Sequence, residues 1–246
     1  MDFERIIAVR NSKTVFKDGG RVIKTFGKSY SKSDVLSEAL NLAIAEEAQI
    51  NFQKLSEVIR TDGRWALVLD YIGGETLDRM IFKNPDKADY YLEKFVEFQL
   101  SLMNVTARFE KISDKARRKI KECSLDENLK NGLLMRLDEL SDGESVCHGD
   151  YSPDNVIFGD DGKLYAIDWA HAAVGSPCTD AASTYLGFVL SGEKNTGKQY
   201  IKLFCAMSGE KTEEIKKYLP IAALLKLHVS NECQRQVLLK YINDAV

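Results

Sequence analysis

"HGDYSPDNVIF", residues 148–158, and "IDWAHA", residues 167–172, decide how this chain is read. Asp150 follows a glycine, Asn155 lies five residues further on, and Asp168 ends a short apolar run. Any one of these residues could simply shape a turn or cap a helix, since Asp and Asn favour both positions. Together they suit a more specific task. Phosphoryl transfer needs a carboxylate beside the attacking hydroxyl, and it needs hard oxygen ligands for the Mg2+ that bridges the phosphates. Asp150 answers the first need, and Asn155 with Asp168 the second. Pro153 restricts the loop between them, which matters because a misplacement of about 1 Å can cost ~10²-fold in rate.

Working outward, "VIF", "GDDGK" and "LYAID" predict a hairpin within a strand-rich island over 145–169. The first seventy residues read as β-rich: "RIIAVR", "KTVF" and "RVIKTF" predict strands, with "KDGG" as a turn. A helix is expected from about Ser33, with Ser33 as N-cap and Val35, Leu36, Ala39, Leu40 and Ala43 at helical spacing. "WALVLDYI" predicts a further strand, closed by Gly73 and Gly74. From Pro85 to about Leu140 the pattern is helical, with Leu92, Phe95, Val96, Leu102 and Met103 on one stripe. Helices return from about Thr179, with Pro220 breaking or starting one. No repeat or low-complexity linker interrupts the chain.

The composition excludes several classes. At 246 residues the chain can bury a large core, and 44% hydrophobic with 29% charged residues is ordinary for a globular protein. A net charge of −3 gives no general attraction to nucleic acid or to an anionic membrane. The pI near 5.8 agrees. Cysteines at 123, 147, 178, 205 and 233 form no CxxC pair, so reduced thiols are expected rather than a disulfide framework or a zinc site. No signal peptide is expected from "MDFERIIAVRN", and no apolar run approaches the ~18 residues of a membrane span. A cytoplasmic location is the expectation.

"HGDYSPDN", "IDW" and "GSPCTD" resemble the aminoglycoside phosphotransferase and choline kinase-like superfamily, over nearly the whole chain and most specifically over 147–180. The resemblance implies an α+β, protein-kinase-like two-lobed fold, with a nucleotide-binding lobe at 1–72 and a catalytic and acceptor-binding lobe at 73–246. It implies Asp150 as the catalytic residue and Asn155 and Asp168 as metal ligands. Lys24 would hold the α/β-phosphates and Glu38 would hold Lys24, with Glu46 and Glu47 as weaker partners. Leu69 would back the pocket, and the backbones of Asp70 and Ile72 would meet the purine. His148 and Asp180 would be structural.

Two features depart from the pattern. A G-x-G-x-x-G loop is missing, and "AVRNSKTVF" stands in its place, leaving backbone N–H groups at Asn11, Ser12 and Lys13 for phosphate. "GSP" replaces the more usual "GDP", so Ser176 stands where an acid is expected.

The cofactors implied are ATP, with GTP as the alternative, and Mg2+. The partner implied is a small-molecule hydroxyl acceptor: a sugar, an amino alcohol or an aminoglycoside-like compound. From residue 171 onward, nine Lys/Arg face seven Asp/Glu, a balance of +2 that disfavours a polycationic acceptor. Trp169 and His171, just past Asp168, are candidates to face it, with a plain surface or packing role as the equal alternative for His171. An atypical small protein kinase and a nucleotide-binding pseudokinase scaffold are the alternative readings.

Overall fold

The computed structural model describes residues 5–10, 13–227 and 230–244. Five antiparallel strands open the chain: β1 (Arg5–Arg10), β2 (Lys13–Asp18), β3 (Arg21–Phe26), β4 (Leu55–Thr61) and β5 (Arg64–Asp70). Their order in the sheet is β1-β2-β3-β5-β4. Strand β4 escapes the sequence reading: it is an edge strand with no buried residue, and its register shifts between Leu55 and Glu57. Asp62 and Gly63, at φ 49° and 73°, make the β4–β5 turn in the left-handed region.

Helix α1 (Lys32–Glu47) follows β3 and is capped by Ser31 rather than Ser33. The Ser31 hydroxyl accepts from Asp34 N–H while the Asp34 carboxylate accepts from Ser31 N–H, satisfying two donors at the helix start. Ser33 instead shares a hydroxyl contact with Ser31. Leu42, Val35 and Ala39 of α1 are buried, as are Val22, Leu67 and Leu69 of the sheet.

Strand β6 (Gly74–Thr76) and helix α2 (Leu77–Lys83) come next, then α3 (Ala88–Met103), α4 (Ile112–Glu122) and α5 (Glu127–Glu139). The stripe expected on α3 is buried: Leu92, Phe95, Val96, Leu102 and Met103. Strands β7 (Ser145–Cys147), β8 (Val156–Gly159), β9 (Leu164–Ala166) and β10 (Ala173–Gly175) precede α6 (Pro177–Leu190), α7 (Lys194–Ser208), α8 (Thr212–Leu227) and α9 (Glu232–Asn243). Pro220 neither starts nor ends a helix but lies inside α8. Buried Ile215, Tyr218, Ile221, Ala222 and Leu224 on both sides hold that helix across the missing N–H. The five cysteines are free thiols. No helix among the described residues is long and apolar enough to cross a membrane.

The chain forms two compact units, one of residues up to Arg79 with Asp154–His171, the other of Met80–Pro153 with Ala172 onward. This differs from a single boundary between 72 and 73. The cause is the β8–β9 hairpin, whose strand β8 pairs with β6 in the register Gly74↔Gly159, Glu75↔Phe158 and Thr76↔Ile157. The Asp160 N–H also donates to the Gly73 carbonyl at 3.0 Å. The two glycines therefore begin a strand-pairing site instead of ending a lobe. Gly74 has φ 132°, and a Cβ there would collide with the Phe158 carbonyl oxygen. Gly74→Ala is expected to destabilise the protein by about 2 kcal/mol or more, from backbone strain and overpacking, read as a lower urea midpoint at unchanged slope.

Candidate active site

In the first unit, β3 presents Lys24 between buried neighbours and α1 presents Glu38 from its buried face. The Lys24 Nζ donates to Glu38 Oε1 at 2.5 Å and to Asp168 Oδ1 at 2.9 Å. Lys13, the first residue of β2, donates to the other oxygen, Glu38 Oε2, at 3.1 Å and lies 4.0 Å from Asp168. Its ammonium lies 5.2 Å from the centre of the Phe26 ring and 5.5 Å from that of Tyr30, within cation–π range. Glu38 is 4% exposed and Asp168 30%. Burial alone would lower the Lys24 pKa, but the charges of Asp168 and Glu38 outweigh it and hold the ammonium above its ordinary value. Burial would likewise raise Asp168, and Lys24 and then Lys13 hold it well below the carboxylate range. Glu46 and Glu47 take no part; Glu46 pairs with Lys54 at 3.6 Å on the surface.

The β8–β9 register Val156↔Ala166 sets Asn155 opposite Ile167, and the Ile167 N–H donates to the Asn155 carbonyl at 2.9 Å. Asp168, next along, has φ 63°, a left-handed conformation that costs a non-glycine residue of order 1 kcal/mol. That strained turn sets the carboxylate against Lys24. A cavity of about 300 Å³ opens here, with Lys13, Lys24, Asn155 and Asp168 among its polar lining and Val22, Leu69, Ile72 and Ile157 among its apolar lining. Leu69 and Ile72 are both among the lining residues. Asp70 is not among the lining residues: its N–H donates to the Lys54 carbonyl and its own carbonyl accepts from Gln53. Asn11 and Ser12 lie outside the described residues.

In the second unit, the loop carrying Asp150 is fixed by backbone contacts on both sides. Gly149, at φ 79°, donates its N–H to Asp180 Oδ1 at 2.8 Å, and Ser183 Oγ donates to the Gly149 carbonyl at 2.9 Å. Asp180 Oδ2 accepts from the Gln99 side-chain amide at 3.0 Å, and Gln99 Oε1 accepts from Tyr200 OH at 2.8 Å. Asp180 sits in the first turn of α6, where the helix dipole favours a carboxylate. Tyr151 is stacked on Phe95 at 4.3 Å between centroids and donates to its carbonyl at 2.7 Å. His148 is buried, with Nδ1 accepting from the Asp150 N–H at 3.3 Å. The Asp150 side chain is 45% exposed and receives Lys226 Nζ on Oδ1 at 2.9 Å.

Asn155 and Asp168 offer hard oxygen donors, and an ammonium already lies 2.9 Å from Asp168, so this position accommodates positive charge. Among the described residues no cluster of three or more His, Cys, Asp or Glu could cage a metal by itself. The pair fits Mg2+, which keeps waters and takes substrate phosphates alongside one or two carboxylates. Trp169, expected toward an acceptor, is fully buried and donates its indole N–H to the Ala166 carbonyl. Ser176 is the N-cap of α6, its Oγ accepting from Cys178 N–H at 3.3 Å.

Comparison with known proteins names the class. Residues 7–216 match the family model APH, described as "Phosphotransferase enzyme family". The chain belongs to that family, a family of small-molecule kinases, and carries its α+β fold. Solved structures similar to it include a thermostable mutant of aminoglycoside phosphotransferase APH(4)-Ia, at 14% identity and TM-score 0.70 over 100% of this chain and 94% of that one. Choline kinase LicA from Streptococcus pneumoniae matches at 19% identity and TM-score 0.66, over 99% and 94%. An aminoglycoside-3'-phosphotransferase of type VIII matches at 17% identity and TM-score 0.62, over 90% and 92%. The APH(4)-Ia enzyme has been crystallised with AMP-PNP and hygromycin B, and LicA with AMP. No curated protein sequence matches the chain.

Sequence reasoning missed the side chains of Lys13, Gln99 and Lys226. Lys13 carried a partial signal, since the β2–β3 register sets it opposite Phe26 at the end of the hairpin. Lys226, 76 residues from Asp150, had no local signal. Asp180→Ala would strand the Gly149 N–H and the Gln99 amide in a buried setting. The expected cost is about 2–4 kcal/mol in urea unfolding, and Asp180→Asn should recover part of it by keeping an acceptor oxygen for Gly149.

Proposed function

We propose that the protein is an ATP- and Mg2+-dependent kinase that moves the γ-phosphoryl group to a hydroxyl of a small molecule. The observation that carries this reading is the shared charge cluster of Lys24, Glu38 and Asp168 beside Asn155, at a partly apolar cavity of about 300 Å³. The purine would enter the apolar part, near Leu69 and Ile72. Lys24, fixed by Glu38, would bind the α/β-phosphates, joined by backbone N–H groups at Ser12. Asn155 and Asp168 would hold Mg2+, which supplies charge neutralisation on the phosphate oxygens when bound. Asp150 would orient the acceptor hydroxyl and take its proton, from a loop held rigid by Asp180, Gln99 and Ser183. The nucleotide complexes of APH(4)-Ia and LicA support adenine nucleotide over GTP. No feature of the described residues favours the protein-kinase or scaffold readings.

Titration calorimetry with ATP and GTP, with and without Mg2+, tests the nucleotide site. Lys24→Ala should weaken ATP affinity or cut turnover, and Asp168→Ala should abolish the Mg2+-dependent part of the binding. Full Mg2+ dependence in Asp168→Ala would remove the metal assignment. Asp150→Asn keeps the shape and loses the charge. ATP and Mg2+ should bind it normally while turnover on an acceptor from a hydroxyl-compound screen falls ~10²–10⁴-fold. Near-normal turnover would exclude the role given to Asp150, and lost nucleotide binding would make that residue structural instead.

A further inference from the structure

Lys226 touches Asp150 but has been given no chemical role so far. It lies in the last turn of α8 and donates to Asp150 Oδ1 at 2.9 Å, with its side chain 11% exposed. An ammonium carries three donors. Among the described residues its hydrogen bond goes to Asp150, one bond from a side chain that can donate three and is only 11% exposed. A buried cation is costly unless it is paired and hydrogen-bonded. Asp150, by contrast, keeps an open side, being 45% exposed.

We propose that Lys226 is a specificity-determining residue, and that the acceptor carries an anionic group, a carboxylate or a phosphate, near its reacting hydroxyl. This rests on the reading of Asp150 as the residue that receives the hydroxyl. Alone, Asp150 would draw cationic compounds to this spot, and Lys226 cancels that pull at a separation where Coulomb energies are largest. The reaction sharpens the imbalance. As the acceptor oxygen forms its bond to phosphorus and the bond to the departing ADP oxygen breaks, the hydroxyl proton passes to Asp150. Asp150 then loses its negative charge, and Lys226 is left as a nearly buried cation without a counter-charge. An anionic substituent on the acceptor restores the balance and fills the spare donors. The same ammonium repels a polyamine, which is how an interface discriminates by penalty as well as by attraction. The +2 balance from residue 171 onward points the same way.

The test is ATP consumption on two matched sets: glucose with glucuronate, glucose 6-phosphate and glucosamine, and glycerol with glycerate, glycerol 3-phosphate and 3-amino-1,2-propanediol. An anionic member should exceed its neutral and cationic counterparts in kcat/KM by about 10-fold or more, the scale of one hydrogen bond to a charged group. The carboxylate and phosphate arms identify which anion is taken. Lys226→Met should erase that preference by raising KM for the anionic acceptor, Lys226→Arg should keep it, and ATP affinity by calorimetry should be unchanged in both. Preference for a neutral or cationic member overturns the inference, as does ATP binding with no anionic member consumed. An equal fall in kcat on every acceptor in Lys226→Met also overturns it, because Lys226 would then only hold Asp150. Absence of nucleotide binding in the wild type removes the kinase reading and this inference with it.

Discussion

Glu38 gives one carboxylate oxygen to Lys24 and the other to Lys13, and the sheet-bearing unit is organised around that sharing. Taking a carboxylate or an ammonium out of water costs several kcal/mol per ion, so none of these charges could be buried alone between a helix and a sheet. Together they are tolerated, and Asp168 completes a set of two cations and two anions. Each element has to be where it is for the set to close. The capping box at Ser31 fixes where α1 begins, which decides that Glu38 falls on its buried face. The alternation along β3 sends Lys24 to the same side as Val22 and Phe26.

The second unit solves a similar problem without cations. Asp180 is buried, yet its carboxylate is met by a backbone N–H, a side-chain amide and the start of a helix. Dipoles satisfy the charge and, being fixed to α3 and α6, they also fix the loop. Gln99 and Tyr200 continue the network into the aromatic core around Phe95 and Phe188. Asp150 is therefore displayed from a loop whose neighbours are tied down, while its own partner, Lys226, comes from the far end of the chain.

Most of the fold was legible because its core elements are strongly patterned: the α3 stripe, the β2–β3 hairpin and the apolar run of β5 all state their period plainly. Asn155 and Asp168 stood out through their spacing, Lys24 and Glu38 only through the family resemblance, and the structure brings Lys24, Glu38 and Asp168 into direct contact. What stayed hidden has physical causes. Strand β4 lies at the sheet edge and its register shifts between Leu55 and Glu57, so its apolar residues keep no regular period. Pro220 reads as a breaker, since the packing that carries a helix through it is tertiary. Asp70 reads as a free hinge residue, and only the coordinates reveal that Lys54 and Gln53 have claimed its backbone groups. Lys13 and Lys226 are ordinary lysines until a distant carboxylate is placed beside them.

The pairing of β6 with β8 has a consequence for how this chain can be cut. A fragment ending near Arg79 would keep Lys24 and Glu38 but would lack the hairpin that bears Asn155 and Asp168. It would leave the main-chain groups of Gly74–Thr76 without their strand partners, and Phe52 without its bridge to Ala166. The cluster around Glu38 would hold two lysines against one carboxylate. The sheet-bearing unit is thus not a contiguous module that a gene could lend out or acquire whole. Its charge balance is completed by residues synthesised after the polypeptide has already built much of the other unit.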